Sequence, residues 1–201
     1  MKKIVKLCVW SVILGLCFGL GGMLADKQAL KEDLIRLHVI ANSDSAEDQQ
    51  LKLHVRDAVL LYLAPFTQDL LSKEEAIAVL YENLAQISEI ADAVLENAGV
   101  SYRADVQLTQ EVYDTREYDT FSLPAGVYDS LQIQIGEADG QNWWCVVFPS
   151  FCLSVTSSEY YEVAAASGFD DTMTKTLAGE PVYEIRFFLL DCIGRLENLF
   201  Y

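Results

Sequence analysis

At 201 residues and 52% apolar composition, the chain has the length of one domain with a short appendage and enough apolar mass to bury a core. That excludes a disordered acidic tail in spite of 30 Asp and Glu side chains. The net charge of −16 argues against nucleic acid and anionic lipid as partners, because like charge repels phosphate, and favours a neutral or basic protein surface.

The first 25 residues stand apart. MKKIVK carries Lys2, Lys3 and Lys6, and the next 19 residues, LCVWSVILGLCFGLGGMLA, hold no charge. A positive end followed by an apolar run reads as an export helix, either a signal peptide or a retained signal anchor. Gly19, Gly21 and Gly22 suit a signal-peptide exit, and Ala25 is the cleavage candidate, although Met23 matches the small-residue rule poorly. Leu16 before Cys17 excludes a lipoprotein signal. With the positive end inside, residues 26–201 are expected outside the cytoplasm, touching a membrane only through residues 1–25 if these are retained. The segment holds three lysines and no acid, so its removal takes the net charge from −16 to −19.

In RLHVIANSDS, Arg36, His38 and Ile40 share one face of a strand spanning Leu34 to Ala41, and Leu37, Val39 and Ala41 share the other. Ser45 with Asp48 is a capping pair. Leu51, Val55, Ala58, Val59 and Tyr62 then recur at helical spacing as far as Pro65, which is expected to close the helix. Capping and the helix dipole account for Ser45, Glu47 and Asp48. They leave Asn42, Ser43 and Asp44 unexplained, along with Arg56 next to Asp57, in a chain with few cations; these are candidate partner-binding residues, to which Arg36, His38 and Lys52 are added, with a core-edge residue bonded to backbone as the simpler reading of His38.

Ser72 and Glu75 form a capping box ahead of an apolar stripe from Ile77 to Ala98, and Gly99 supplies the stop. The period then changes to two, with Tyr102, Ala104, Val106 and Leu108 opposite Arg103, Asp105, Gln107 and Thr109. A Pro-Ala-Gly turn leads to the alternating LQIQI. The following ADG and NWWCVVF predict a hairpin ended by Pro149. Trp143 and Trp144 fall on opposite faces of that last strand, so one of them is a further contact candidate, set against both being covered by the carboxy-terminal helix.

Residues 153–179 form a weakly patterned linker, with short helices suggested near Tyr160 and Thr174. Residues 180–201 carry the stripe of a packing helix after Pro181. The order of elements predicts an α+β domain over residues 26–201, a mostly antiparallel sheet with helices packed on one face, preceded by the export helix.

Catalytic chemistry finds little purchase. A zinc site needs about three protein ligands, whereas His38 and His54 are the chain's two histidines and neither HExxH nor CxxC occurs, so no metal and no cofactor is expected. No GxSxG elbow is present. The enzyme alternative is a cell-envelope hydrolase using His38 with Ser43 or Asp44; a third reading is a membrane-tethered envelope scaffold. Cys145 and Cys152, seven residues apart around Pro149, are a candidate disulfide, with buried thiols as the alternative.

The run LIRLHVIANSDSAEDQQLKLHVRDAVL, Leu34 to Leu60, resembles the hallmark stretch of the stage II sporulation protein R family. So does LPAGVYDSLQIQIGEADGQNWWCVVFPSFC, residues 123–152, and the resemblance covers residues 30–152 in order. It implies a signal rather than an enzyme, made in the forespore and exported into the space between the two membranes of a developing endospore. There such a protein is needed to switch on a mother-cell membrane protease of the aspartic type, which removes the pro-sequence of the sigma-E precursor. The resemblance therefore implies a protease partner met on its extracytoplasmic face.

Overall fold

The computed structural model describes residues 33–67, 70, 72–118, 121–149, 171–178 and 184–201, with isolated positions before residue 33. The expected export helix falls almost wholly outside the described residues, and no described helix is long and apolar enough to cross a membrane.

The strand read from RLHVI, β1 (Ile35–Ile40), is central in a four-stranded sheet ordered β2-β5-β1-β6, with β2 (Ala104–Tyr113), β5 (Gly126–Ile135) and β6 (Asn142–Phe148). Leu37 pairs with Leu131 of β5 in parallel and with Cys145 of β6 antiparallel, and β2 runs antiparallel to β5. The sheet is mostly antiparallel and the fold is α+β, as expected.

The hairpin predicted between β5 and β6 does not form, because β1 lies between them. The turn itself is present: Gly136 and Ala138 take φ of 59° and 53°, and the Ala138 N–H donates to the Ile135 carbonyl at 3.1 Å. What decides the pairing is burial. Almost every residue of β1 is buried, so the strand belongs in the middle of the sheet, and the 136–141 turn carries the chain over its carboxyl end.

Helix α1 (Ala46–Thr67) starts where Ser45 predicts, the Asp48 N–H donating to Ser45 Oγ at 3.1 Å. It does not stop at Pro65 but runs two residues further. Proline removes one donor without ending a turn that is otherwise held, and burial of Leu63 and Thr67 on either side holds it. Helix α2 (Lys73–Asn97) is capped by Ser72 Oγ, which accepts from the Glu75 N–H at 3.2 Å, and Gly99 follows its end with φ of 78°.

The main core lies between these helices and the sheet. Leu37 and Val39 of β1, Leu131 and Ile133 of β5, and Cys145 and Val147 of β6 pack under Val55 and Val59 of α1 and Leu80 and Ile87 of α2. Each such aliphatic side chain contributes about 1.5–3 kcal/mol when fully buried.

Helices also cover the opposite face, beyond the single helical layer expected. Tyr113, Tyr128 and Val146 on that face are buried against Met173 and Leu177 of α3 (Asp171–Leu177), beside the short ladder of β3 (Arg116–Glu117) with β4 (Ser122–Leu123). Aromatic area of this size needs a cover. The helix suggested near Thr174 is α3; the one suggested near Tyr160 lies outside the described residues.

The carboxy-terminal helix α4 (Glu184–Asn198) docks through Asp191, which accepts from the Ala125 N–H at 2.9 Å and from Thr115 Oγ1, and through Asn198, which donates to the Tyr113 carbonyl at 2.9 Å. Burial raises the Asp191 carboxyl, but these bonds and Arg195 outweigh it and hold the group below its ordinary value. Gly194 lies directly on the Ala125 carbonyl, and a Cβ there would overlap it.

Candidate functional site

The candidate residues fall in three places. The first is the end of β1, where Asn42, Ser43 and Asp44 form a clamp between the start of α1 and the 136–141 turn. Asn42 Oδ1 accepts from the Glu137 N–H at 3.0 Å, and its Nδ2 donates to Asp48 Oδ2 at 2.8 Å. Ser43 Oγ donates to the same oxygen at 2.5 Å, and Asp44 Oδ1 accepts from the Gln141 N–H at 2.8 Å. Tyr102 donates to the other Asp48 oxygen. Lys52, buried, closes the clamp by donating to Gln49 Oε1 at 2.7 Å and to the Gln141 carbonyl at 2.8 Å.

The electrostatics follow from these bonds. Donation from Ser43, Tyr102 and Asn42 lowers the Asp48 carboxyl from 3.8 to about 2. Burial and the adjoining Asp48 carboxylate push the Tyr102 phenol up to about 12. Burial pushes the Lys52 ammonium down, with Asp44 opposing. The glycines of the turn complete the fit: a Cβ at Gly136 would overlap the Asn42 side chain, and one at Gly140 the Ser43 carbonyl.

The second place is the sheet face turned away from α1 and α2. His38 is 5% exposed, its Nδ1 lies 2.8 Å from Glu111 Oε1 and its Nε2 2.8 Å from Asn142 Oδ1. The Trp144 ring stacks on it with centroids 3.6 Å apart. Burial raises the Glu111 carboxyl, but bonds from His38, Ser130 and Gln132 outweigh it and hold the group below its ordinary value. Arg36, fully buried two residues earlier, donates through Nη2 to Tyr118 Oη at 2.8 Å, with Cζ 4.0 Å from the Tyr113 ring centre. Burial pushes the Tyr113 and Tyr128 phenols upward, against the pull of Arg36.

This geometry corrects the hydrolase alternative. Both ring nitrogens of His38 are taken by Glu111 and Asn142, while Ser43 and Asp44 lie beyond the end of the strand and bond to Asp48 and Gln141. The alternating pattern of β1 that groups His38 with Arg36 also carries the chain away from His38 by about 3.3 Å per residue before Ser43 is reached. Among the described residues, no group of three His, Cys, Asp or Glu side chains is arranged to hold a metal.

The third place is the outer side of α1. The Arg56 guanidinium bonds Asp57 Oδ1 through Nε at 2.7 Å and Nη2 at 2.6 Å, and lies 4.7 Å from the Trp143 ring centre. Asp57 is 60% exposed, while Arg56 is 21% exposed and Trp143 is partly buried against the main core, so a cation, an anion and an indole sit side by side at the edge of that core. His54 and Leu61, the latter 79% exposed, continue the same helical face. The two tryptophans split as the alternation predicts, Trp143 toward α1 and Trp144 onto His38. Cys145 is buried in the main core, and Cys152 lies outside the described residues.

Sequence reasoning missed three participants. Asp48 forms the capping pair with Ser45 and is in addition the hub of the clamp, which its position in the helix does not announce; Glu111 and Tyr113 are the partners of His38 and Arg36. Glu111 and Tyr113 continue the face of β2 that carries Gln107 and Thr109, and a Glu-x-Tyr pair at the end of a polar strand face was the available signal.

The fold and sites define an α+β domain whose polar residues at the end of the central strand hold its architecture, with a partly exposed cation, anion and aromatic group on the outer side of α1. The chain belongs to the stage II sporulation protein R family, whose model matches residues 31–158. It is 37% identical over 161 residues to the stage II sporulation protein R of Bacillus subtilis (strain 168), covering 76% of this chain and 71% of that protein. No solved structure matches it.

Proposed function

We propose that this chain is an exported sporulation signal that binds the extracytoplasmic face of a membrane-embedded aspartic protease and raises its activity, so that the sigma-E precursor is cleaved. The family match across residues 31–158 carries this reading. The charge pattern of residues 1–25 supports export into the intermembrane space of the developing spore.

The contact surface in this reading is Arg56, Asp57 and Trp143, extended by Leu61 on the same face of α1. An ion pair with one partner 60% exposed adds about 0–1 kcal/mol to a fold, so the pair itself contributes little to stability. Arginine and tryptophan at a surface are the side chains most enriched among residues that dominate binding. Activation requires tighter binding to the active arrangement of the protease than to the inactive one; moving a population from 1:99 to 99:1 takes about 5.5 kcal/mol of difference.

Arg56→Ala tests the surface. The proposal predicts an unchanged melting temperature with loss of precursor cleavage in sporulating cells. Normal cleavage by a well-exported Arg56→Ala protein removes this surface from the account.

A further inference from the structure

Buried arginines are ordinarily paired, because a charge out of water is costly unless an opposite charge or a full set of hydrogen bonds meets it. Arg36 is an exception. Its side chain is fully buried, Nη2 bonds to Tyr118, and Nε and Nη1 have no hydrogen-bond partner among the described residues. The Tyr113 and Tyr128 rings, 4.0 and 5.2 Å from Cζ, give the cation two π faces, which offset part of the lost hydration and satisfy no N–H.

A second cation repeats the pattern on the same sheet face. Arg116 of β3 also has a buried Nε with no partner among the described residues, and its guanidinium lies 4.9 Å from the Trp144 ring centre. Trp144 and Tyr113 are themselves in edge contact at 4.8 Å, so the two arginines flank one aromatic pair. Of the acidic side chains around these rings, Glu111 is engaged by His38 and Gln132 and Asp191 by Thr115 and Arg195, and neither these nor Glu197, which also acts on Tyr128, bonds to Arg36. In a chain of net charge −16, two guanidinium groups with open donors flank this aromatic pair, and among the described residues no acidic side chain forms an ion pair with either.

We propose that Arg36, assisted by Arg116, forms an anion site that takes a carboxylate monoanion. The open donors ask for oxygen acceptors, and the flat Tyr113 and Tyr128 walls suit a planar group on a planar guanidinium. Tyr118 is half-buried with its ring stacked on Phe121 at 4.6 Å, and its hydroxyl is the contact an arriving carboxylate displaces from Nη2. The inference stands on the geometry of this face and is independent of the protease reading.

The probe is acetate, titrated into the full chain against chloride at constant ionic strength. A saturable rise in melting temperature and a shift of the Arg36 Nε–H resonance are expected. Arg36→Met should keep or raise the melting temperature in chloride, since it removes an unpaired buried charge, and should lose the acetate response. Arg116→Gln, which removes the second positive charge beside the Tyr113–Trp144 pair, should weaken acetate binding by less than about tenfold. An acetate response that survives in Arg36→Met, or an Arg36 Nε–H resonance that does not move, overturns the site. An equal response to inorganic phosphate overturns the carboxylate assignment. Should Arg36→Met fail to fold, the wild-type Nε–H titration still decides.

Discussion

Asp48→Asn isolates the clamp, because it keeps the size of the side chain and removes its charge. The carboxylate accepts from Ser43, Asn42 and Tyr102 and sits in the first turn of α1. An amide presents one acceptor atom instead of two, so at least one of those donors is left facing an NH2 group. A hydrogen bond to a charged acceptor contributes about 1.5–3 kcal/mol, and a negative charge near a helix amino terminus adds about 0.3–1.

The depressed Asp48 carboxyl expresses the same bonds as a dependence on pH. A fall from 3.8 to about 2 corresponds to an upper limit of about 2.5 kcal/mol, and because Asp48 is half-buried, screening by solvent reduces this to about 1.5. Since the folded value lies below the unfolded one, this stability is fully present above pH 3.8 and is lost as pH falls through about 2. Urea denaturation followed by tryptophan fluorescence should therefore place Asp48→Asn about 1.5–2 kcal/mol below wild type at pH 7, with the gap narrowing between pH 4 and 2. A gap under about 0.5 kcal/mol at pH 7, or one that persists unchanged to pH 2, refutes the reasoning.

Further tests address the rest of the fold. Ser45→Ala removes the cap of α1 and should cost about 1 kcal/mol in the same assay while precursor cleavage continues. Gly194→Ala drives a methyl into the Ala125 carbonyl and should cost about 2–3 kcal/mol, with α4 losing amide-exchange protection before the main core does. His38→Gln leaves Glu111 or Asn142 without its ring partner and should cost about 1–3 kcal/mol by urea titration, together with a change in Trp144 fluorescence.

The local signals were legible because each is short in range. Ser45 and Ser72 fixed the helix starts, Gly99 an end, and the alternation of β1 placed Leu37 and Val39 in the main core with Arg36 and His38 behind them. What escaped depends on partners distant in sequence. A real turn at residues 136–141 suggested a hairpin, yet the neighbour of both β5 and β6 is β1, about a hundred residues earlier, and no local pattern encodes that insertion. The same distance hid the clamp. Asn42 and Asp44 looked like free polar residues because the N–H groups they receive belong to Glu137 and Gln141. Arg36 and His38 read as surface candidates for a similar reason, since Tyr113 and Glu111, which occupy them, come from the far end of β2. Arg56, Asp57 and Trp143 are candidates by residue type, and the structure places the three side chains next to one another.

The central claim is activation from outside the membrane. It is tested most directly by co-expressing this chain, a membrane aspartic protease of the sporulation programme and the sigma-E precursor in a bacterium that does not sporulate, and following the size of the precursor with exported and non-exported versions of the chain. The account predicts cleavage with the exported version and none when residues 1–25 are removed so that the domain stays in the cytoplasm. Cleavage that is equal for both versions, or absent with all three proteins well expressed, contradicts it.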